Sequence, residues 1–413
     1  MESRLSESRP RSLNVLCLAS FFKGADFMRE CAARGARVFL LTRERTLGED
    51  WPRDAIAGLL ALPDSAGPED YLRAVVSLAR DVRVDRLVAL EEFDVLTAAR
   101  LREHLALAGM GGTTARRFRD KLLMRSSARD AGLLVPDFTP VFNFDALDEF
   151  TSRVPAPWVL KPRSDVSAIG IKKLDTAAQL SRAIDALDAR TSLDERSPSF
   201  LLERFVAGDV FHVDSLVEAG RVRFAWASRY GRPPMEVAHG GGSFLSYTVE
   251  HGSPDERELF AANRRLLKAL GLARGAAHAE FIRGREDGRL YFLEVAARVG
   301  GAFTAENVEA GSGVNLWREW AKLELAAGDG TYRAPKARRE HSGIVLSLAR
   351  QERPDTSRYD DPEIAFRAAK PYHVGLVVRA KRPERVRELL DAYARRFADE
   401  FVAVAPPLEK PPL

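Results

Sequence analysis

His278-Ala-Glu-Phe-Ile-Arg-Gly-Arg-Glu-Asp-Gly-Arg-Leu-Tyr-Phe-Leu-Glu294 is the stretch that decides the fold, and it predicts a β-hairpin. Two strand-like runs flank a turn that contains Asp287-Gly288, a pair favoured in tight hairpin turns. Side chains alternate between the two faces of a strand, and Glu280 and Glu294 are an even number of residues apart. With the pairing centred near Glu286, both carboxylates lie on one face, diagonally adjacent across the two strands.

The other face of this hairpin is apolar, and we expect it to pack into the core through Ala279, Phe281, Tyr291, Leu293 and Val295. Two carboxylates that converge beside an apolar sheet repel each other unless a cation or a shared proton intervenes. Oxygen ligands of this kind suit Mg²⁺, completed by waters and nucleotide phosphates. Glu280 and Glu294 are therefore candidate Mg²⁺ ligands, and the alternative is a solvated hairpin face with two unrelated acids.

The segments on either side of the hairpin supply cations and small residues. Residues 294–301 place Arg298 and a glycine pair beside the acids, and an arginine fork suits phosphate or carboxylate oxygens. Upstream, Lys161 opens a small-residue loop that ends at Gly170, where backbone N–H groups can cradle phosphate. No G-x-x-x-x-G-K-[ST] pattern occurs, so a Walker loop is excluded. Taken singly, a surface charge and a plain hairpin loop remain the alternatives.

Composition narrows the class of protein. A chain of 413 residues with 46% apolar and 30% charged residues is globular and long enough for two or three domains. The formal charge of +4 is small for this length, which disfavours a nucleic-acid partner. Cys17 and Cys31 form no C-x-x-C pair, so a disulfide framework and a structural zinc site are disfavoured. The sequence shows no signal peptide or membrane span, and we expect a cytoplasmic protein.

The order of predicted elements gives the fold class, α/β and α+β in three parts. Strands alternate with helices over residues 1–112, which predicts a doubly wound parallel sheet, without the G-x-G-x-x-G of a dinucleotide site. Residues 113–331 then favour largely antiparallel strands. A Pro- and Arg-rich stretch near residue 332 indicates a boundary, and residues 332–413 predict a small C-terminal α+β lobe.

An ordered set of segments connects these parts: Asp120-Lys121, Lys161-Pro162, residues 164–170, residues 203–209, His278-Ala-Glu280, residues 294–301 and residues 313–316. This set resembles the ATP-grasp superfamily. It is most similar to the carboxylate–amine (or thiol) ligases, the group that includes the L-amino-acid ligases. The resemblance covers nearly the whole chain, and it implies an ATP-grasp fold with two ATP-binding lobes between the N-terminal domain and the C-terminal lobe.

The resemblance also implies roles for individual residues. Lys121 and Lys161 would contact the nucleotide phosphates, and the loop with Ser164 and Ser167 would close over them. The interlobe hinge against the adenine would be Glu203, Arg204, Phe205 and Val206, and Asp209 would hold the ribose. Glu280 and Glu294 would coordinate Mg²⁺, and Arg298 would steady an acyl-phosphate as the catalytic residue.

Two features complete the resemblance. Where the family usually has Asn, two residues after the second Glu, this chain has Ala296, so one metal ligand is missing. The glycine-rich stretch after Met235 predicts a mobile loop beside a substrate pocket. Its candidate substrate contacts are His239, Gly241 and Ser243, and the segment after the hairpin adds Arg298 and Gly301. His278 is interpreted as a packing histidine.

The function implied by the resemblance is an ADP-forming ligase with ATP and Mg²⁺ as cofactors. It would activate a small carboxylate, an amino acid or related acid, as an acyl-phosphate for attack by an amine. The expected partners are ATP and two small molecules, with no nucleic acid and no membrane, and a homodimer is a further expectation. The alternatives are a carboxylating ATP-grasp enzyme and, because of Ala296, a non-catalytic ATP-binding regulator.

Overall fold

The computed structural model describes residues 12–164, 170–326 and 332–403. It divides into two compact units. The first is Met1–Gly112 with Trp317–Arg333, and the second is Thr113–Leu316 with Ala334–Leu413. Among the described residues, no helix has both the length and the apolar character needed to cross a membrane.

The first unit contains a parallel sheet, as the sequence predicts. Its elements are β1 (Asn14–Ala19), α1 (Ala25–Ala33), β2 (Arg37–Arg43), β3 (Ile56–Leu62), α2 (Pro68–Asp81), β4 (Arg86–Ala89) and α3 (Val95–His104). The strands run in the order β3-β2-β1-β4, and β1 is central with every residue buried. A later segment of the chain completes this unit. The rings of Phe27 and Trp320 lie 5.3 Å apart, and Arg86 Nε donates to the Glu324 carbonyl at 3.1 Å.

The second unit begins with a small antiparallel sheet. Its elements are α4 (Gly112–Arg117), α5 (Lys121–Asp130), β5 (Phe138–Pro140), α6 (Phe144–Arg153), β6 (Trp158–Pro162), β7 (Lys172–Leu174), α7 (Ala177–Asp188) and β8 (Phe200–Arg204). The strand order is β5-β8-β6-β7, with β8 between β5 and β6. Buried side chains of α6 and α7, such as Phe150 and Ile184, share one apolar cluster with Trp158 and Leu160 of β6. This apolar layer anchors the strands β6 and β8, which carry Lys161 and Glu203.

The rest of the second unit is built on a large antiparallel sheet. Its elements are β9 (Gly208–Glu218), β10 (Arg221–Tyr230), α8 (Pro234–Gly240), β11 (Phe244–Thr248), α9 (Pro254–Leu270), β12 (Gly275–Gly284), β13 (Leu290–Ala296), α10 (Thr304–Ser312), β14 (His341–Leu348), β15 (Ile364–Arg367), β16 (His373–Ala380) and α12 (Pro383–Glu400). Helix α11 (Leu316–Leu325) follows α10 in the chain and, from Trp317 on, belongs to the first unit. The strand order is β13-β12-β9-β10-β11-β14-β16-β15. The hairpin of Glu280 and Glu294 is thus one edge of this sheet.

Two sequence expectations differ from the structure. The segment from residue 332, expected as a separate lobe, instead extends the large sheet, because β14 pairs with β11 from Phe244↔Leu346 to Tyr247↔Gly343. Strand β11 was not foreseen, since it follows a glycine-rich stretch that predicts a loop. Within that stretch, Pro234–Gly240 forms helix α8.

Candidate functional site

The hairpin β12–β13 places Glu280 and Glu294 directly opposite each other, not diagonally. A β-bulge makes this pairing possible: Glu280 pairs with Glu294, but the next pair is Phe281 and Phe292, which leaves Leu293 as the extra residue. Beyond the bulge the alternation of β13 is reversed, so Tyr291 lies opposite Ile282 on the face of Glu280. The prediction that Tyr291 packs on the opposite face is therefore wrong.

Lys121 provides the cation that two opposed carboxylates require. Its Nζ lies 3.2 Å from Glu294 Oε2, and the lysine side chain is buried. Burial alone would raise the pKa of Glu294, but Lys121 and then Lys161 outweigh it and lower that pKa to about 2. Glu294 is therefore ionised at neutral pH and held by a lysine.

The position of Lys121 follows from the start of helix α5. Asp120 caps the helix by accepting from Leu122 N at 3.0 Å, as Asp favours at this position. The backbone N–H of Lys121 donates to Arg163 O at 2.7 Å, and the Arg163 side chain bonds to Asp120. Helix α5 is thus fixed to the end of β6, which also carries Lys161.

Lys161 and Glu203 form a second, fully buried ion pair. Lys161 Nζ lies 2.5 Å from Glu203 Oε1, and both side chains are buried. Burial, followed by the nearby Arg125, lowers the pKa of Lys161 to about 8. Burial alone would raise the pKa of Glu203, but the positive charges of Arg125 and Lys161 outweigh it and lower that pKa. Glu203, expected at the adenine hinge, thus directs its side chain to a candidate phosphate lysine.

Arg125 lies between the two ion pairs, bonding to Glu203 of one and to the residue before Glu294 of the other, and the sequence does not predict it. Its side chain is 0% exposed, and Nε and Nη2 both donate to Glu203 Oε2 at 3.1 Å. Its Nη1 donates to the carbonyl of Leu293, the extra residue of the bulge. The sequence offers one signal, a basic residue four positions after Lys121, on the same face of a helix.

Glu280 contacts a different set of partners. Tyr230 donates its hydroxyl to Glu280 Oε1 at 2.6 Å, and His278 Nε2 lies 3.6 Å from the same oxygen. Asp214 Oδ1 lies 2.8 Å from His278 Nδ1, and Asp214 Oδ2 lies 2.7 Å from His212 Nδ1. Burial would lower the pKa of His278, but Asp214 outweighs it and raises that pKa to about 10. His278, interpreted from the sequence as a packing histidine, thus also contacts Asp214 and Glu280.

The other residues expected near the nucleotide lie at or near the ends of β8 and β9. Arg204 Nε lies 3.4 Å from Asp137 Oδ2, and the Phe205 ring is 4.7 Å from Lys173 Nζ. Val206 packs against a small apolar cluster that includes Tyr291. Asp209 is exposed and pairs with Arg229 at 3.0 Å.

The segment after Glu294 is conformationally constrained. Arg298 Nη1 donates to Val299 O at 2.8 Å, and Gly301 O accepts from Thr304 N at 3.0 Å. Ala302 and Phe303 both have positive φ, at 52° and 57°. Left-handed backbone costs non-glycine residues about 1–3 kcal/mol each and is concentrated at functional sites.

The remaining expected contacts lie in loops. Ser164 is exposed and its carbonyl accepts from Arg119 Nη2 at 2.5 Å, whereas Ser167 lies outside the described residues. The side chain of His239 is also outside them. Gly241 O accepts from Arg232 Nη2, and Ser243 Oγ accepts from Ser347 Oγ at 2.7 Å. None of these contacts links the loops to the acidic pair.

The acidic pair fits Mg²⁺ by its chemistry. Glu280 and Glu294 offer carboxylate oxygens on one sheet face, the ligand type that Mg²⁺ prefers. Ala296, opposite His278, offers no oxygen in its side chain. Two histidine nitrogens and an Asp214 oxygen also cluster within 4.8 Å, but hydrogen bonds within the cluster already use them.

A model of the ATP-grasp domain matches residues 154–306, which include Lys161, Glu203, Glu280 and Glu294. This match and the fold described above confirm the fold class and the resemblance to the ATP-grasp superfamily that the sequence predicts. The L-arginine-specific L-amino acid ligase of Bacillus subtilis is 26% identical over 245 residues. That alignment covers 58% of this chain and 58% of the relative, so the chain matches little more than half of its length.

Solved structures share the fold over nearly the whole chain. The L-amino acid ligase from Bacillus licheniformis has a TM-score of 0.71 at 19% identity and covers 96% of this chain and 99% of that one. The N5-carboxyaminoimidazole ribonucleotide synthetase from Thermus thermophilus has a TM-score of 0.70 at 20% identity, covering 95% and 99%. At this identity the likeness concerns the fold alone.

Proposed function

We propose that this protein is an ADP-forming ligase that joins a small carboxylic acid, an amino acid or a related acid, to an amine. ATP would transfer its γ-phosphoryl group to a carboxylate oxygen of the acid, giving an acyl-phosphate and ADP. The amine then attacks the acyl carbon, the C–O bond to phosphate breaks, and the amine loses a proton as the amide forms. The acceptor is proposed as an amine in preference to a thiol.

One observation carries the proposal. Lys121 Nζ lies 3.2 Å from Glu294 Oε2, and Glu294 lies directly opposite Glu280. A cation suited to phosphate oxygens is thus in contact with an acid suited to a divalent metal, as transfer of a phosphoryl group requires. A second lysine, Lys161 at the end of β6, also lowers the pKa of Glu294 by its charge.

The residues of the chain would act by position and charge. Lys121 and Lys161 would bind phosphate oxygens, and Arg125 would hold Glu203 so that Lys161 keeps its orientation. Arg298 would place its planar fork on the acyl-phosphate. Residues 203–206 and Asp209 would border the adenine and ribose, with the loop of Ser164 and Ser167 over the phosphates. Such fixed charges lower the barrier without reorganisation during the reaction.

Glu280 and Glu294 would hold Mg²⁺, which when bound offsets charge on the nucleotide phosphates. Ala296 contributes no third carboxamide or carboxylate, so water would complete the coordination on that side. The residues proposed to contact the substrate are His239, Gly241, Ser243 and Gly301. The two small-molecule substrates, the homodimer and the cytoplasmic location also remain predictions.

Support for an amino-acid substrate comes from the relatives, two of which are named as L-amino acid ligases. A carboxylating enzyme that activates bicarbonate is the second candidate, because a synthetase of N5-carboxyaminoimidazole ribonucleotide shares the fold at a similar TM-score. The first candidate is favoured because one of the two ligases aligns by sequence over 245 residues.

The test is ADP release from the full chain with MgATP over pairs of amino acids and small acids, with mass spectrometry of the products. We expect a condensed product with a mass equal to the sum of both substrates minus water. ADP release that requires bicarbonate with biotin or an aminoimidazole would establish the second candidate instead. Tight ATP binding with no ADP release in any arm would contradict both and support a regulator.

The site assignment is tested with a matched pair of variants on one hairpin. Glu294→Gln should abolish turnover, because a neutral amide binds Mg²⁺ poorly and leaves Lys121 without its carboxylate. Glu286→Gln changes an exposed acid on the turn of the same hairpin and should keep full activity. Full activity in Glu294→Gln would overturn the assignment.

A further inference from the structure

We infer that Tyr230 and His278 are positioning residues for the Glu280 carboxylate, and that Asp214 and His212 form the buried support that fixes His278. The inference deepens the proposed function, because it rests on Glu280 as a metal ligand. A positioning residue of this kind acts through the ligand and does not itself touch the substrate.

The contacts run without interruption across four strands of the large sheet. Tyr230 on β10 donates to Glu280 on β12, at 2.6 Å, and its hydroxyl is also 3.4 Å from His278 Nε2. His278 bonds to Asp214 on β9 at 2.8 Å, and Asp214 bonds to His212 at 2.7 Å. At the end of this chain of contacts, His212 Nε2 lies 2.7 Å from Ser246 Oγ on β11.

The strand register explains why these side chains meet. Glu280 pairs with His212, and His278 pairs with Asp214, so all four project from the same sheet face. On the other side of β12, Glu280 pairs with Glu294 and His278 pairs with Ala296. The methyl group of Ala296 leaves the neighbouring position on this face without a polar side chain from β13.

The supporting residues are deeply buried, which costs free energy of folding unless their polar atoms are hydrogen-bonded. Asp214 is 0% exposed and His212 is 1% exposed, and buried polar groups are tolerated when each is hydrogen-bonded. Each ring nitrogen of His212 and each oxygen of Asp214 has a partner within the chain of contacts. Glu280 is the most exposed end of this chain of contacts, with 17% of its side chain accessible, whereas Ser246 at the other end is buried, which implies that the support is directed toward that carboxylate.

A second contact ties the support to the segment of Arg298. A Cβ atom on Gly300 would lie 2.7 Å from His278 Nδ1 and 3.0 Å from Asp214 Oδ1. Real Cβ atoms do not approach so closely, so the backbone after Arg298 passes directly over the His278–Asp214 bond. The segment that carries the candidate catalytic Arg298 thus packs against the same buried group that supports the candidate metal ligand Glu280.

The test measures binding of Mn²⁺ alone, and of Mn²⁺ with ADP, to the full chain by electron paramagnetic resonance. Tyr230→Phe and His278→Leu should each weaken Mn²⁺ binding, by about 10- to 100-fold, as the loss of an outer partner does at other metal sites. His278→Gln keeps a donor near the position of Nε2 and should recover most of the affinity. The KM for Mg²⁺ should rise more than kcat falls.

Tyr291→Phe is the matched control. It removes a tyrosine hydroxyl that donates to Asp287 at 2.5 Å on the same hairpin, away from the acidic pair. It should leave Mn²⁺ affinity unchanged. Circular dichroism of each variant tests folding, and if His278→Leu does not fold, the isosteric Tyr230→Phe decides.

The possible results separate the inference from the proposed function. Unchanged Mn²⁺ affinity in Tyr230→Phe, together with a loss in Glu280→Gln, would overturn the positioning role and leave the metal site standing. Unchanged affinity in Glu280→Gln and Glu294→Gln as well would overturn both. A loss in Tyr230→Phe equal to that in Tyr291→Phe would also contradict the inference.

Discussion

Arg125 shows at the scale of one residue how the candidate site is held together. Its guanidinium bonds to Glu203 and to the carbonyl of Leu293, and it lies 5.4 Å from the ring of Phe292. Local patterns in the sequence predict Lys161 and Glu294 as site residues, and the family resemblance adds Lys121, but neither predicts this arginine. Its partners are 78 and 168 residues away in the chain, a separation at which residue spacing carries no information about contact.

We expect Arg125→Met to destabilise the second unit by about 3–5 kcal/mol, because it leaves a buried carboxylate without one of its two cations. Arg129→Met, on the same helix, removes an exposed ion pair with Asp130 and should cost about 0–1 kcal/mol. The measurement is the free energy of unfolding in urea. Equal losses in both variants would contradict the role assigned to Arg125.

Helix α5 and hairpin β12–β13 together show what can be predicted at the scale of elements. The hairpin, its turn and the shared face of its two acids follow from period-two alternation, and they were predicted. The bulge at Leu293 was not, because an extra residue leaves no mark in an apolar run. Its consequence is large, since the register on the turn side of the bulge would pair Glu280 with Leu293, and the extra residue brings Glu294 opposite Glu280 instead.

The contact between Lys121 on α5 and Glu294 on β13 leads to a prediction about metal binding and ATP binding. Lys121 and a metal ion compete for Glu294, so Lys121→Met should tighten Mn²⁺ binding without nucleotide, on the order of five-fold, or about 1 kcal/mol. The same variant should weaken ATP binding, because a phosphate-binding cation is lost. Titration by electron paramagnetic resonance and by calorimetry measures the two affinities.

Lys268→Met is the control, since this lysine is exposed on α9. It should change neither affinity. If Lys121→Met weakens Mn²⁺ binding in the absence of nucleotide, Lys121 supports the metal site and does not compete with the metal.

At the scale of the whole molecule, the sequence predicts the ATP-grasp fold less by its composition than by the order of its segments. The place of the C-terminal strands in the large sheet could not be predicted from the order of segments. Which strands of a sheet are neighbours depends on pairing between distant segments, here β11 with β14. The buried cluster of Tyr359, Tyr393 and Phe397 shows that this segment has its own apolar layer on the shared sheet.

A chain ending at residue 332 should therefore fail to fold its second unit. It would expose β11 as a sheet edge and remove the strands and the helix α12 that cover its outer face. We expect strong binding of a hydrophobic dye and no cooperative unfolding transition for that unit, against a single sharp transition in the full chain. A truncated chain that binds ATP as tightly as the full one would show that the segment is an independent lobe.

The return of the chain to the first unit has a consequence for synthesis on the ribosome. Trp320 and Glu324 pack against elements made much earlier, so the first unit lacks its last layer until roughly two hundred further residues have emerged. At ordinary translation speed that interval is on the order of 10–40 s. During it, the emerging first unit carries an uncovered apolar surface around Phe27, a natural target for a chaperone that binds nascent chains.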